Sequence, residues 1–297
     1  MERRDTMNMP LAHRIRENMK NFSKGQKKIA QYVLLHSETA ADMTAVKLAV
    51  AVGASESTVV RFAAELGYSG YPAFQRAIQE MIKNQLTSVQ RMNIIPKTQK
   101  ELFSTILNQD MNAIEVALSE ISQEDFAKAV EAVSNAEKVY VVATRSSVAL
   151  ATFLVYYLNL LLDDVHFLNV SSEVDLFEQI IRVNENDAVF CMNFPRYSTK
   201  IAKAVHYVKG VGANVVVLTD SENSPIADAA SELLIAQSTM ASFVDSLVAP
   251  MSVVNAFLAA VAQYKHKEVE EVFNRLENIW DEYGVYEKVD TKLSEKV

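Results

Sequence analysis

Ser55, Glu56, Ser57, Thr58 and Arg61 fall within one seven-residue stretch. Serine and threonine hydroxyls reach phosphate oxygens or base edges, and an arginine can contact guanine with two bonds. Lys24 and Lys28 supply cations for further phosphates, as do Arg14, Arg16, Lys20, Lys27, Arg76 and Lys83. The alternative for each lysine is a solvated surface charge. A second constellation lies in the C-terminal half. Thr144-Arg145-Ser146-Ser147 and Arg196-Tyr197-Ser198-Thr199 each follow an apolar run and precede a helical pattern. Free N–H groups at a helix start, hydroxyls and a guanidinium fork together suit an anion such as phosphate. Tyr197 offers a ring that can stack on a sugar face. Asp245 and Ser246 open a long uncharged stretch that can line the same pocket, although Asp245 also reads as a plain helix N-cap. Arg145 or Arg196 can instead pair with an acid such as Asp245 across a subunit interface.

Short helices must position the first set. Leu48 and Ala49 fall on the inner face of one helix, and Gly53 stands where a tight turn needs positive φ. Ser55 is placed to cap the next helix, whose Val59, Phe62 and Leu66 step by helical intervals before Gly67 stops it. This spacing is that of a helix-turn-helix, which enters the major groove by the start of its second helix. A hairpin of two helices used only for packing is the alternative. Upstream, Ser23-Lys24-Gly25-Gln26 reads as a capping box.

The second set calls for a different frame. Apolar runs at Lys138–Ala143, Val165–Val170, Ala188–Met192 and Asn214–Thr219, with a weaker one at Leu233–Ala236, alternate with helical stretches at 147–162, 173–182, 199–209 and 225–230. Such alternation predicts a parallel sheet covered on both faces, with ligands beyond the carboxyl ends of its strands. Phe103, Leu107, Met111, Ile114, Leu118 and Ile121 form an apolar helical stripe ahead of that sheet. The expected division is a helical domain over 1–84, a linker over 85–100 carrying Pro96, an α/β domain over 101–283 and a polar tail over 284–297.

Charge follows the same boundary. The 297 residues carry a net charge of −8, which alone argues against nucleic acid. Residues 1–90 nevertheless hold 12 Lys+Arg against 8 Asp+Glu, net +4, while the remainder holds 17 against 29, net −12. One cysteine, Cys191, excludes an intrachain disulfide, and the five histidines show no metal-ligand spacing. No metal or cofactor is therefore expected. With only 7 glycines there is no G-x-G-x-x-G and no P-loop. Ser246–Tyr264 is uncharged but contains Pro250, Asn255 and Gln263, and reads as a buried helix rather than a membrane span. No secretory signal is visible, so a cytoplasmic protein with no membrane partner is expected.

Residues 18–80 resemble the DNA-binding domain of RpiR/MurR-type bacterial transcription regulators. The likeness rests on Ser55, Thr58, Val59, Arg61, Phe62, Leu66, Gly67, Tyr68, Gly70, Tyr71 and Phe74. It implies an all-α helix-turn-helix domain followed by an α/β, three-layer sugar isomerase (SIS) domain around a five-stranded parallel sheet. SIS domains usually bind a phosphorylated sugar. The segment Gly212–Ser221 is similar to a strand and loop common in them. Ala143 and the Pro195–Thr199 loop depart from the usual SIS pattern.

The expectation is a regulator whose grip on a double-stranded DNA operator is set by a small anionic effector, a sugar phosphate or sugar acid. Ser55, Glu56, Ser57, Thr58, Arg61, Lys24 and Lys28 would contact DNA. Arg145, Ser146, Ser147, Arg196, Tyr197, Ser198, Thr199 and Asp245 would hold the effector, within a homodimer or homotetramer. The competing reading is an aldose–ketose sugar-phosphate isomerase with an appended helical domain. It needs a positioned base, for which Glu173 and His166 are the nearest candidates.

Overall fold

The computed structural model describes residues 11–85, 91–92, 98–168, 170, 172–238 and 243–286. Most of the expected linker, with Pro96, and most of the expected polar tail lie outside them.

Six helices form the N-terminal unit: α1 Leu11–Asn18, α2 Lys24–Leu35, α3 Ser37–Ala41, α4 Ala45–Val52, α5 Glu56–Glu65 and α6 Tyr71–Gln85. Both halves of the capping box at Ser23 and Gln26 are formed, so two N–H groups at the start of α2 are satisfied. Ile29, Val33, Leu48, Val59, Phe62, Phe74 and Ile78 fill one buried core. Phe62 sits at its centre, edge-on to Phe22 and Phe74 with ring centroids 5.0 and 5.5 Å away.

The C-terminal unit opens with α7 Gln99–Glu120 and α8 Gln123–Ser134. Then follow β1 Val139–Ala143, a single 3₁₀ turn at Arg145–Ser147, α9 Val148–Leu161, β2 Val165–Leu168, α10 Glu173–Ile180, β3 Ala188–Met192, α11 Thr199–Val211, β4 Asn214–Thr219 and β5 Glu232–Ile235. Two helices of 17 residues each close it, α12 Val248–Tyr264 and α13 His266–Glu282. All strand pairs are parallel, in the order β2-β1-β3-β4-β5. Every residue of β1 and β3 is buried because side chains alternate between two covered faces. Val139, Val141 and Phe190 pack under α8, α9 and α12, while Tyr140, Val142 and Cys191 pack under α10 and α11. This is a three-layer αβα domain with a five-stranded parallel sheet. The uncharged stretch at 246–264 supplies α12, whose Val254, Phe257 and Val261 are buried against the sheet. No helix among the described residues is long and apolar enough to cross a membrane.

One sequence expectation needs correction, and one expected feature takes an outward orientation. Residues 225–230 are not a helix. Only a 3₁₀ turn at Ala227–Ala229 forms there, since so short a segment cannot offset the cost of helix nucleation. The apolar stripe of α7 is not buried within the chain. Phe103 is 68% and Leu118 is 84% exposed, and the helix turns Asp110, Ala113 and Ala117 inward instead.

Candidate DNA interface and effector cleft

In the N-terminal unit the turn between α4 and α5 is set by Gly53, at φ 63° and ψ 46°. Its N–H closes the end of α4 by bonding the Ala49 and Val50 carbonyls. Ser55 then caps α5, its Oγ accepting from the Thr58 N–H at 3.2 Å. The hydroxyls of Ser57 and Thr58 lie 2.9 and 2.8 Å from the same oxygen. Ser55, Glu56, Ser57 and Arg61 are exposed and Thr58 is half-buried. Arg61 lies along the helix surface, its Nε donating to the Ser57 carbonyl at 3.2 Å. A helix start thus presents hydroxyls, a carboxylate and one guanidinium to solvent.

Lys24 and Lys28, both exposed, stand beside this face. A methyl group at Gly25 would come within 3.3 Å of Thr58 Cγ2, so α2 crosses the start of α5 closely there. The Lys28 ammonium lies near the Gly53 turn. Arg16, Lys20, Lys27, Lys47 and Arg76 are also exposed. Arg14 is a correction. It is 3% exposed, donates to Tyr68 Oη at 3.0 Å and to the Leu66 carbonyl, and lies over the Tyr68 ring. That guanidinium is taken up within the fold and does not face a phosphate.

In the C-terminal unit the strand order reverses direction between β1 and β3, and the crevice beyond their carboxyl ends is where open α/β sheets bind ligands. A cleft of about 610 Å³ opens there. Ala143, Thr144, Arg145 and Val148 line it from the β1 side, and Phe167, Leu168 and Val170 from the β2 side. Arg196, Tyr197, Ser198, Thr199 and Lys200 line it from the β3 side. Three cations and no carboxylate therefore stand among its lining residues.

Arg145 and Arg196 hold φ of 57° and 59°, and they alone among the described non-glycine residues have positive φ. Each left-handed side-chain-bearing residue costs about 1–3 kcal/mol, a cost usually met at functional sites. The β3 loop is held by its own bonds: Asn193 Oδ1 accepts from the Ser198 N–H at 3.1 Å, and Thr219 Oγ1 donates to the Asn193 carbonyl at 2.7 Å. Ser198 caps α11 by accepting from the Ile201 N–H, and Thr199 and Lys200 at the start of that helix line the cleft. Tyr197 donates its hydroxyl to Asp220 Oδ1 at 2.8 Å.

The other expected effector residues fall elsewhere. Ser147 is buried and donates its hydroxyl back to the Thr144 carbonyl at 2.6 Å, so it braces the 3₁₀ turn and does not line the cleft. Ser146 is exposed but is not a lining residue either. Asp245 lies outside the cleft lining and, within the chain, pairs with neither Arg145 nor Arg196. Its carboxylate meets Arg91 at 2.6 Å. Lys200, Phe167 and Asp220 were not read from the sequence. Lys200 adjoins Thr199 and was within reach of the same loop argument, whereas Asp220 belongs to a different strand end and only the folded chain brings it to Tyr197. His166 is paired with Asp164 at 2.6 Å and stacks on Tyr140. The side chain of Glu173 lies outside the described residues.

Residues 9–85 match the model of the helix-turn-helix domain of the rpiR family, and residues 132–260 match the SIS domain. The chain thus joins a helix-turn-helix domain of the rpiR family to a SIS domain. An uncharacterized HTH-type transcriptional regulator of Caldanaerobacter subterraneus subsp. tengcongensis is 27% identical over 265 residues, spanning 86% of this chain and 91% of that one. The Escherichia coli K12 uncharacterized HTH-type transcriptional regulator YfhH is 40% identical over 72 residues, 24% of this chain and 26% of its own. Among solved structures, the Vibrio vulnificus NanR protein complexed with ManNAc-6P has a TM-score of 0.58 at 19% identity, covering 92% of this chain and 98% of that one. The sugar isomerase domain of an RpiR transcription factor from Sphaerobacter thermophilus has a TM-score of 0.57 at 26% identity, covering 60% and 99%. The chain is a helix-turn-helix transcription regulator with a SIS domain. The names that these two curated relatives carry agree with that reading.

Proposed function

We propose that the start of α5 reads a DNA operator and that the cleft beyond β1 and β3 binds the effector, a small sugar phosphate or sugar acid. The observation that carries the effector assignment is the pair of left-handed arginines, Arg145 and Arg196, on the walls of one cleft at the point where the strand order reverses. Lys200 and the N-terminus of α11 add to the same positive field. Phe167, Val148 and the Tyr197 ring supply the apolar wall that a sugar face needs. The NanR structure, bound to ManNAc-6P, supports a phosphorylated sugar as the first class to test. On the DNA side, Ser55, Glu56, Ser57, Thr58 and Arg61 face the groove while Lys24 and Lys28 meet phosphates.

Two copies of the chain would place two α5 helices on a palindromic or repeated operator. The outward row of Phe103, Leu107, Met111 and Leu118 on α7 supports that assembly. Beside it lies an apolar groove of about 480 Å³ between α7, α8 and α12, lined by Ile114, Leu118, Phe126 and Val253. The domain division at 84 and 101 then separates the DNA reader from the sensor. A thermal-shift screen of sugar phosphates and sugar acids, followed by calorimetry on the hits, tests the effector class. A hit whose affinity survives Arg145→Ala and Arg196→Ala together would remove the cleft from the site.

A further inference from the structure

A series of polar contacts runs from the cleft to the end of the recognition helix. Tyr197, in the cleft wall, donates to Asp220 at 2.8 Å. Asp220 begins the turn after β4, within which Ser221 Oγ accepts from the Asn223 N–H at 3.1 Å. Asn223 Oδ1 accepts from Arg14 Nη1 at 3.3 Å, across 209 residues of sequence. Arg14 in turn donates to the carbonyl of Leu66, the C-cap of α5, and its guanidinium carbon lies 4.5 Å from the Tyr68 ring centroid. One arginine thus holds both the end of the recognition helix and a turn whose first residue is gripped from the cleft.

Two features suit this contact to being made and broken. Arg14 meets Asn223 at a long distance and through a neutral acceptor, whereas its bonds to Leu66 and Tyr68 stay within its own domain. A cavity of about 250 Å³ also lies between the domains, lined by Ala73 and Arg76 of α6 and by Asp220, Ser221, Glu222 and Asn223. The turn has room to move without displacing a packed core.

We propose that the Asn223–Arg14 contact couples the cleft to the recognition helix. A ligand that engages Tyr197, or that resets the left-handed Arg196 beside it, breaks the Tyr197–Asp220 bond and loosens the start of the turn. The 220–223 turn then shifts and Asn223 leaves Arg14. The helix-turn-helix domain, with Arg14 still bonded to Leu66 and Tyr68, is freed from the SIS domain. This inference rests on the cleft being the effector site. Coupling of this kind is reciprocal, so a change in α5 on DNA alters ligand affinity in the cleft.

Amide hydrogen exchange on the full chain tests it, first without ligand. Tyr197→Phe touches no residue of the N-terminal domain, yet exchange over 64–70 rises about threefold or more, as expected for the loss of one hydrogen bond. Asn223→Ala gives a similar rise, and the double variant adds nothing further. Asn223→Asp places a carboxylate opposite Arg14 and slows exchange over 64–70, an effect that a misfolded variant cannot produce. If Tyr197→Phe leaves 64–70 at the wild-type rate while Asn223→Ala does not, the link from cleft to turn is overturned. If neither variant changes it, the contact itself is overturned. Inorganic phosphate at constant ionic strength forms the second arm. Protection over 144–148 and 196–200 with faster exchange over 64–70 supports the coupling. No protection there overturns the cleft as an anion site, and with it the trigger, independently of what the ligand-free variants report.

Discussion

The Arg91 guanidinium lies 2.6 Å from the Asp245 carboxylate, and the arginine side chain is only 2% exposed. This pair ties the segment between the two domains to the approach to α12. Losing one member of a buried ion pair leaves the other charge desolvated. Asp245→Ala should therefore lower the stability of the C-terminal domain by about 3 kcal/mol in urea denaturation. Phosphate affinity in the cleft should stay at the wild-type value. A variant of normal stability that binds phosphate poorly would return Asp245 to the effector site.

Arg145 stands in the left-handed region at φ 57°. Glycine adopts that conformation without strain, so Arg145→Gly should raise thermal stability, by about 1 kcal/mol, while anion binding falls. Loss of both stability and binding would mean that the side chain holds the loop together and that strain is a minor part of its role.

Ser55 caps α5 through the Thr58 N–H. Ser55→Ala should cost about 1 kcal/mol of stability in the N-terminal domain, and Ser55→Asp should restore it, because aspartate is an equally good cap. Operator binding should stay weak in Ser55→Asp even where stability returns, because the added carboxylate repels the phosphates.

Burial pushes the Tyr71 hydroxyl up from 10.0 to about 12, and the group donates to the Met43 carbonyl at 2.6 Å. The folded value lies above the unfolded one. The contribution is complete below the unfolded pKa of 10.0 and is lost as pH rises through about 12. Thermal unfolding of the N-terminal domain between those values should show a fall that Tyr71→Phe lacks. An identical slope in the two proteins would assign the fall to other groups.

Local rules reached far in this chain. Gly53, Ser55 and the Val59–Phe62–Leu66 spacing placed the helix-turn-helix because each obeys a short-range rule, a positive-φ turn, a cap and a helical period. The buried strands were legible from their continuous apolar runs. Contacts between distant segments were not. Arg14 reads as one more surface cation until Leu66 and Tyr68 fold around it, and Asp245 reads as a cap or pocket residue until Arg91 reaches it. The α7 stripe from Phe103 to Ile121 shows the opposite case. Its periodicity is plain in sequence, but periodicity does not say whether the covering surface belongs to the same chain. The left-handed conformations of Arg145 and Arg196 had no local sequence signal, since glycine or asparagine is the usual occupant of that region.

Operator binding by the purified chain tests the central claim most directly. Fluorescence anisotropy with labelled genomic fragments, read across a salt series, should find a fragment bound well above random DNA, with log affinity falling linearly against log salt. Arg61→Ala should weaken that complex by about 1–3 kcal/mol and leave binding to random DNA nearly unchanged. Equal affinity for every fragment, or none for any, would contradict the assignment of α5 as a reader of DNA sequence.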